Sequence, residues 1–497
     1  MSFEIRRLKE EHSRKSTILR SLLPVLRPML QWILLRQQQQ KEKEHRHRII
    51  TIIIAGVCAA VLLAVAWNLL QTLRAFSLQT ILSAGSTTIA EDVYGQTNIL
   101  LLGNGDSTHD GVDLIDSIII ASLDRKTESI ALLSLPRDLY FLHTDDMGAG
   151  RLNSLYRDEK YALKRKGLDE RDASMAALRT LAKEISTALS IEIHHVVKAD
   201  FMGFIAAVDA IGGIPIDIPA DITDPSFPGP EYTTETFSIR KGRQTLDGQT
   251  ALKYARSRST TSDFDRSVRQ QLLLDALGKH LRAIGILTKP NKLLALFNIV
   301  NKHIATTLSL RELLTLAKIG KGFRSPQILQ MHLSDRNGLY GEILEPGGFL
   351  YAPPRDQFDG ASVLLPISHP EFPVTWKQLQ ILTNLFLHER SLYRMNPSIS
   401  LLNAGAPPGS ARLLADELLR YGFSIETIGN TPFQKQETSF VLDSGQRELE
   451  ASFGSLLRLP VHAAPLPASP RTTTSLSIVL GKDYRFVHLQ DLPPSAL

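Results

Sequence analysis

Four arginines crowd the stretch from Tyr254 to Gln271, and a folded chain normally spends that density of guanidinium on phosphate. Arg256 and Arg258 stand two apart, so on a β-strand both would point to one face. Arg266, Arg269 and Gln270 stand three and four apart, which shares one face of a helix. Phe264, Val268, Leu272 and Ala276 recur at four-residue steps, so a helix starting near Asp263 is expected to bury these and present the arginines elsewhere. Each planar guanidinium grips a phosphate through two parallel hydrogen bonds, a geometry lysine lacks. The alternative is a row of solvated ion pairs with Asp263 and Asp265, each worth little. Four arginines at these spacings favour an anion site.

Two other segments carry matching chemistry. Asp106 closes an apolar run in Gly103-Asn104-Gly105-Asp106, and Asp116 opens the next in Asp116-Ser117-Ile118. Carboxylates at the ends of adjoining strands can share one hard cation such as Mg²⁺, but on these residues alone the favoured reading is that Asp106 and Asp110 cap turns. Leu135-Pro136-Arg137-Asp138 then sets an arginine and an aspartate directly after a third apolar run.

The elements that must position these residues are readable from apolar periodicity and turn residues. Strands are expected over 97–102, 117–123 and 129–135, the last two joined by a hairpin turn at 124–127. Helix is expected over 173–189, strand over 196–199, helix over 201–210 and strand over 214–218. Residues 220–236, rich in Pro, Asp and Thr, are expected as loop, with helices over 264–284 and between 289 and 318. From Ser398 a second unit reads as strands at 399–403, 423–428, 439–442 and 476–480 with helices at 410–420 and 446–457. The irregular order with a hairpin points to an α/β sandwich with a mixed sheet, followed by a small C-terminal α/β domain.

The ordered series closely resembles the LytR-CpsA-Psr family of membrane-anchored envelope phosphotransferases. It runs through Asn98-Ile99-Leu100-Leu101-Leu102-Gly103 with Asp106, then Asp116-Ser117-Ile118, Ser134-Leu135-Pro136-Arg137-Asp138 and Arg151-Leu152-Asn153. Val208-Asp209-Ala210-Ile211-Gly212-Gly213-Ile214, Leu246-Asp247-Gly248-Gln249-Thr250-Ala251-Leu252 and the arginine segment complete it. Arg151 stands where the family more often has lysine, and Ser259 where it commonly has histidine. Leu402-Asn403-Ala404-Gly405 and Val479-Leu480-Gly481-Lys482-Asp483-Tyr484 resemble the C-terminal domain often attached to these proteins.

The resemblance implies transfer of a glycopolymer phosphate, teichoic acid among the candidates, from undecaprenyl pyrophosphate to a peptidoglycan hydroxyl. It implies Mg²⁺ on Asp106 and Asp116, and Arg137, Asp138, Arg256, Arg258 and Asp263 as catalytic, with Asp263 or Asp138 as the base. Asn153, Arg266, Arg269 and Gln270 are implied as substrate contacts, beside an apolar channel for the lipid between sheet and helices. A polyprenyl pyrophosphate phosphohydrolase would use the same residues, and a noncatalytic polyprenyl-phosphate binding or regulatory protein is the alternative from a different class. The C-terminal domain, without a cluster of titratable residues, is expected to contact polymer, wall or another envelope protein.

Charge placement gives the topology. Residues 49 to 70 carry no ionisable side chain but Cys58, with Arg46, Arg48 and Arg74 flanking them. At ~1.5 Å per residue the run reaches about 30 Å, the hydrocarbon thickness of a bilayer, so a transmembrane helix is expected over 49–71. Residues 1–48 hold 12 Lys and Arg against 5 Glu, whereas none lies between Ala75 and Asp124. The arm is therefore expected in the cytoplasm against anionic lipid headgroups, and everything beyond the span outside. Taking 12 and 5 from the totals of 56 and 51 leaves 44 basic and 46 acidic residues, so the high pI belongs to the arm. No nucleic-acid-reading helix is visible in it.

The expected organisation is a cytoplasmic arm over 1–48, the span, a stem over 72–95 and a catalytic domain over 96–366. A linker over 367–397, the C-terminal domain over 398–484 and a tail over 485–497 complete it. With Cys58 the single cysteine, the exterior is expected to hold no disulfide, thiolate nucleophile or cysteine metal site. His194-His195 lacks a third ligand at a metal spacing and is expected to be structural.

Overall fold

The structure, a computed structural model, describes residues 88–492 apart from 106–112, 230–232, 258–262, 286–295, 297–298, 300–301, 324–326, 334–347, 369–373, 431–434, 444 and 464–474. Strands β1 (Gln96–Asn104), β2 (Ile115–Asp124) and β3 (Ser129–Leu135) form an antiparallel meander. The Asp124 carboxylate fixes its second turn by accepting from the N–H groups of Lys126 (2.8 Å) and Thr127 (3.2 Å). The short pair β4 (Tyr140–Phe141) and β5 (Gly150–Arg151) leads into α1 (Leu152–Arg165) and α2 (Glu170–Leu189). β6 (His195–Asp200) then returns parallel to β1, placing Asp200 opposite Asn104 at the ends of both strands.

After α3 (Phe201–Ala210) come β7 (Ile214–Ile218), β8 (Ile222–Pro228), β9 (Thr234–Ile239) and β10 (Gly242–Leu246), paired β7 with β10 and β8 with β9. Helices α4 (Gly248–Arg256) and α5 (Asp263–Ala283), strand β11 (Ile304–Thr306), helix α6 (Leu310–Gly322) and strand β12 (Gln327–His332) follow. The central sheet runs β11-β6-β1-β2-β3-β12 and is mixed, with β6 and β12 parallel to their inner neighbours.

Period-two alternation gives this sheet two apolar faces. Leu100, Ile118, Ile120 and Leu133 pack with α1 and α2 through Leu155, Leu178 and Leu181. Ile119, Ala121 and Leu132 pack on the other face against Leu274 of α5. Gln271 fastens α5 to that face, its amide donating to Leu132 O (3.2 Å), Ser134 Oγ (2.8 Å) and Met331 O (3.2 Å).

The pair β13 (Leu350–Tyr351) and β14 (Leu365–Pro366) precedes helices α7 (Lys377–His388) and α8 (Arg390–Met395). Then come β15 (Ser398–Asn403), α9 (Ser410–Arg420), β16 (Ser424–Asn430), β17 (Phe440–Asp443), α10 (Arg447–Leu457), β18 (Val461–Ala463) and β19 (Ser475–Leu480). Their sheet runs β16-β15-β19-β17-β18.

Several expectations need correction. Arg256 ends a helix, not a strand, because Asp247 caps that helix by accepting from Thr250 N–H (2.7 Å) while Ala251 and Tyr254 bury one face. The 220–236 segment carries β8 and the first half of β9, its Pro and Asp tolerated because the pair is irregular between Asp224 and Phe227. β11 interrupts the helix expected between 289 and 318. The expected linker holds α7 and α8, whose Leu379, Leu382, Leu385 and Phe386 lie in one continuous core with Leu133 and with Ile399 and Leu401 of the second domain. The expected tail is anchored by Leu489, which is buried and donates its N–H to Glu417 (2.9 Å). α1 was not expected; its N-cap residue Arg151 makes no side-chain cap bond, so the usual start signal is absent. The membrane span over 49–71 and most of the stem lie outside the described residues, among which no helix is long and apolar enough to cross a membrane.

Candidate functional site

Between the β1-β2-β6 end of the sheet and helices α3, α4 and α5 lies a cavity of about 480 Å³. Its walls are apolar, with Leu101, Ile119 and Val197 on the sheet side and Phe204, Leu252 and Leu277 on the helices. Asn104, Asp116, Ser117, Arg256, Arg266 and Gln270 also line it, as does Asp200. Glycine at 103 keeps the floor low, since a Cβ there would sit 3.2 Å from Ser117 Cβ across the strands.

Each polar side chain has a local reason for its place. Arg256 leaves the last turn of α4 with its guanidinium 4.3 Å from the Phe201 ring and 5.4 Å from that of Phe227, so aromatic faces orient the cation. Gln270 accepts from Ser117 Oγ (2.8 Å), which ties α5 to β2 at the cavity wall. Arg137, just after β3, donates to Asp116 Oδ1 at 2.8 Å. Asp138 lies 3.9 Å from Arg137 Nε and 3.5 Å from Arg151 Nη1, so two guanidinium groups bracket it. Asn153 donates its backbone N–H to Arg137 O (3.0 Å), fixing the start of α1 beneath that turn.

The structure thus gathers Asp116, Arg256, Arg266 and Gln270 on one cavity and joins Arg137 to it through Asp116, with Asp138 and Asn153 directly behind. Arg269 is not among the lining residues. It is buried, with Nε on Tyr254 O (3.1 Å) and Nη2 on Ser257 O, so it braces the α4–α5 connection. The arginines of α5 do not form an exposed face: Arg266 and Arg269 are 7% and 8% exposed because the helix is covered on more than one side. Asp106, Arg258 and the side chain of Asp263 lie outside the described residues.

Sequence reasoning missed Asn104, Ser117, Asp200 and Phe201 as cavity residues. The available signal was positional, since Asn104 and Asp200 are the polar residues that end two buried parallel strands. His194 Nδ1 accepts from Asn98 N–H (2.9 Å), and burial lowers the pKa of His195.

A hard, largely hydrated divalent cation needs one or two carboxylates, and the cavity supplies Asp116 with amide and hydroxyl oxygens beside it. Among the described residues no group of three His, Cys, Asp or Glu gathers. Cationic forks at one end of an apolar cavity can hold a phosphorylated lipid.

A model of the LytR_cpsA_psr family matches residues 73–355, and one described as LytR cell envelope-related transcriptional attenuator matches 396–484. The "Cell wall biosynthesis protein LcpA" of Corynebacterium glutamicum is 29% identical over 43% of this chain and 42% of its own length. The "Polyisoprenyl-teichoic acid--peptidoglycan teichoic acid transferase TagV" of Bacillus subtilis is 29% identical over 43% of this chain and 50% of its own. This chain therefore spans about half the length of the curated relatives it matches. The crystal structure of B. subtilis TagV aligns over 59% of this chain and 97% of that one at 22% identity, with a TM-score of 0.41.

Proposed function

The chain belongs to the LytR-CpsA-Psr family, and from that premise we propose that it moves a glycopolymer phosphate from a polyprenyl pyrophosphate carrier to a peptidoglycan hydroxyl. The observation that carries the reading is one cavity, apolar along its length and arginine-lined at the strand ends, which matches a ligand with a hydrocarbon tail and a diphosphate head. The two relatives, a cell wall biosynthesis protein and a teichoic acid transferase by name, support the reaction class. Teichoic acid is thereby the favoured polymer.

In this reading the prenyl chain lies along Leu101, Phe204, Leu274 and Leu277, and the head meets Arg256 and Arg266. The acceptor oxygen forms a bond to the polymer-bearing phosphorus as the bond from that phosphorus to the bridging oxygen breaks. The lipid monophosphate leaves with the electron pair, and the acceptor proton goes to a carboxylate, Asp138 or Asp263. Arg256 and Arg258 stabilise charge on the phosphoryl oxygens, and Arg137 does so from beside Asp116. Gln270 orients the head, Asn153 holds the Arg137 turn, and Arg269 acts by positioning α5 against α4. Asp116 with Asp106 would hold Mg²⁺, which when bound neutralises developing charge on the pyrophosphate.

The proposed setting is a single-pass membrane protein with its basic arm in the cytoplasm on anionic lipids and the catalytic domain outside. The test is an assay of the full chain in detergent with lipid-linked polymer, with and without peptidoglycan. Polymer attached to peptidoglycan is expected. Release of phosphate with no attachment would assign hydrolysis instead.

A further inference from the structure

A second cavity of about 620 Å³ lies on the opposite face of the central sheet, between β6 and helices α1 and α2. It shares Asn104 and Asp200 with the first, so the two cavities meet around the paired ends of β1 and β6. Their linings differ in kind. Four cationic side chains, Lys198 among them, stand against the carboxylates of Asp113, Glu170 and Asp200, which leaves the lining nearly balanced. Lys160 is consumed by that balance, bonded to Asp113 at 2.6 Å and to Glu170. Lys198, by contrast, has its ammonium 3.3 Å from Asn104 Oδ1 and 5.1 Å from the Tyr156 ring, with no carboxylate within 4 Å among the described residues. Tyr161, 43% exposed, adds an aromatic ring to the lining.

A balanced surface that offers ammonium and guanidinium donors, carboxylate acceptors and tyrosine suits a hydroxyl-rich, weakly charged ligand better than a second diphosphate. We propose that this second cavity seats the sugar of the acceptor, which rests on the transferase reading above. The geometry gives an independent reason. Displacement at phosphorus brings the nucleophile in opposite the leaving group, and a lipid phosphate leaving into the first cavity calls for an acceptor arriving from the other face. Asn104, bonded to Lys198 on one side and lining the donor cavity on the other, marks the junction. Burial also lowers the Lys198 pKa, consistent with an ammonium that gains from a sugar oxygen brought against it.

The test uses the full chain in detergent and two probes, a soluble peptidoglycan fragment and farnesyl pyrophosphate, with binding of each measured by calorimetry. Tyr161→Ala and Lys198→Met are each expected to weaken fragment binding about tenfold while the farnesyl pyrophosphate affinity changes less than twofold. Unchanged fragment binding, or equal loss for both probes, overturns the proposal. Should Lys198→Met fail to fold by circular dichroism, Tyr161→Ala decides alone, its ring being largely at the surface. A wild-type chain that takes up farnesyl pyrophosphate but not the fragment overturns this seat only. One that takes up neither overturns the donor reading itself.

Discussion

Arg137 and Asp116 pair at 2.8 Å with side chains 23% and 43% exposed, so the pair keeps access to solvent. Removing Arg137 should therefore cost about 1 kcal/mol of stability or less. If it faces the charge that develops on the phosphoryl oxygens, Arg137→Ala should lower transfer by about 10²-fold or more. Unaltered far-ultraviolet dichroism with lost transfer is the expected result, and a wild-type rate would remove Arg137 from the mechanism. Arg256→Lys asks a finer question, because it keeps the charge but loses the flat fork that lies on Phe201. We expect about tenfold lower kcat/KM for it, since lysine cannot both stack and grip two oxygens. At this scale residue type alone points to Arg256 and Arg266, which line one cavity, whereas the strand spacing read for Arg256 fails because a helix ends there. The sequence also misleads at Arg269, because periodicity names a helix face but not what covers it, and here the cover is the backbone of Tyr254 and Ser257. Asn104 and Asp200 are illegible alone, since only strand register makes them neighbours.

The arginine of α4 is delivered by a tight crossing with α3. A Cβ added at Gly248 would lie 2.5 Å from Ile205 O, and Gly248 N–H bonds the Asp209 carboxylate at 2.7 Å. Gly248→Ala should push the helices apart and cost about 1–3 kcal/mol in urea unfolding, with transfer falling alongside. An unchanged midpoint would show that the crossing tolerates more space than its geometry implies. β12 makes a pH-dependent contribution. Burial holds the His332 imidazole down to about 4, below its ordinary value near 6.5, so the folded state keeps it neutral where the unfolded chain is protonated. Its stabilisation is complete above about pH 6.5 and is lost as pH falls toward 4, by at most about 3 kcal/mol from the difference between those values. His332→Gln should flatten the fall in urea midpoint between those pH values. An equally steep fall in the variant would assign the slope elsewhere. The elements themselves were largely legible: the turn at Asp124 and the capped α3 follow local rules that sequence displays. The β8–β9 pair was not, because its irregular pairing accommodates residues that ordinarily signal loop.

Arg390 decides whether the molecule behaves as two domains or one. It opens α8, ahead of the second domain, yet its guanidinium is buried beneath the far end of the central sheet. It donates to Ser129 O (2.9 Å), Ser129 Oγ (3.0 Å), Ser122 Oγ (2.6 Å) and Gln96 Oε1 (3.2 Å), bonding β1, β2 and β3 together. Burial brings its pKa down to about 10, so it remains charged at neutral pH and the bonds are charge-assisted. Around it, α7 and α8 carry the core of one domain into the other without a break at Leu382, Leu392 and Ile399. Such continuity argues against independent unfolding, because separating the domains exposes apolar surface on both and strands four polar partners. Arg390→Met should cost about 3 kcal/mol, the penalty for leaving buried polar groups without their charged donor. It should also lower the transition of both domains together. Fluorescence of Trp376, at the start of α7, and far-ultraviolet dichroism should give coincident urea curves in the wild type and in the variant. Two separated transitions in the wild type would show that the shared core is not cooperative and that the second domain is a detachable module.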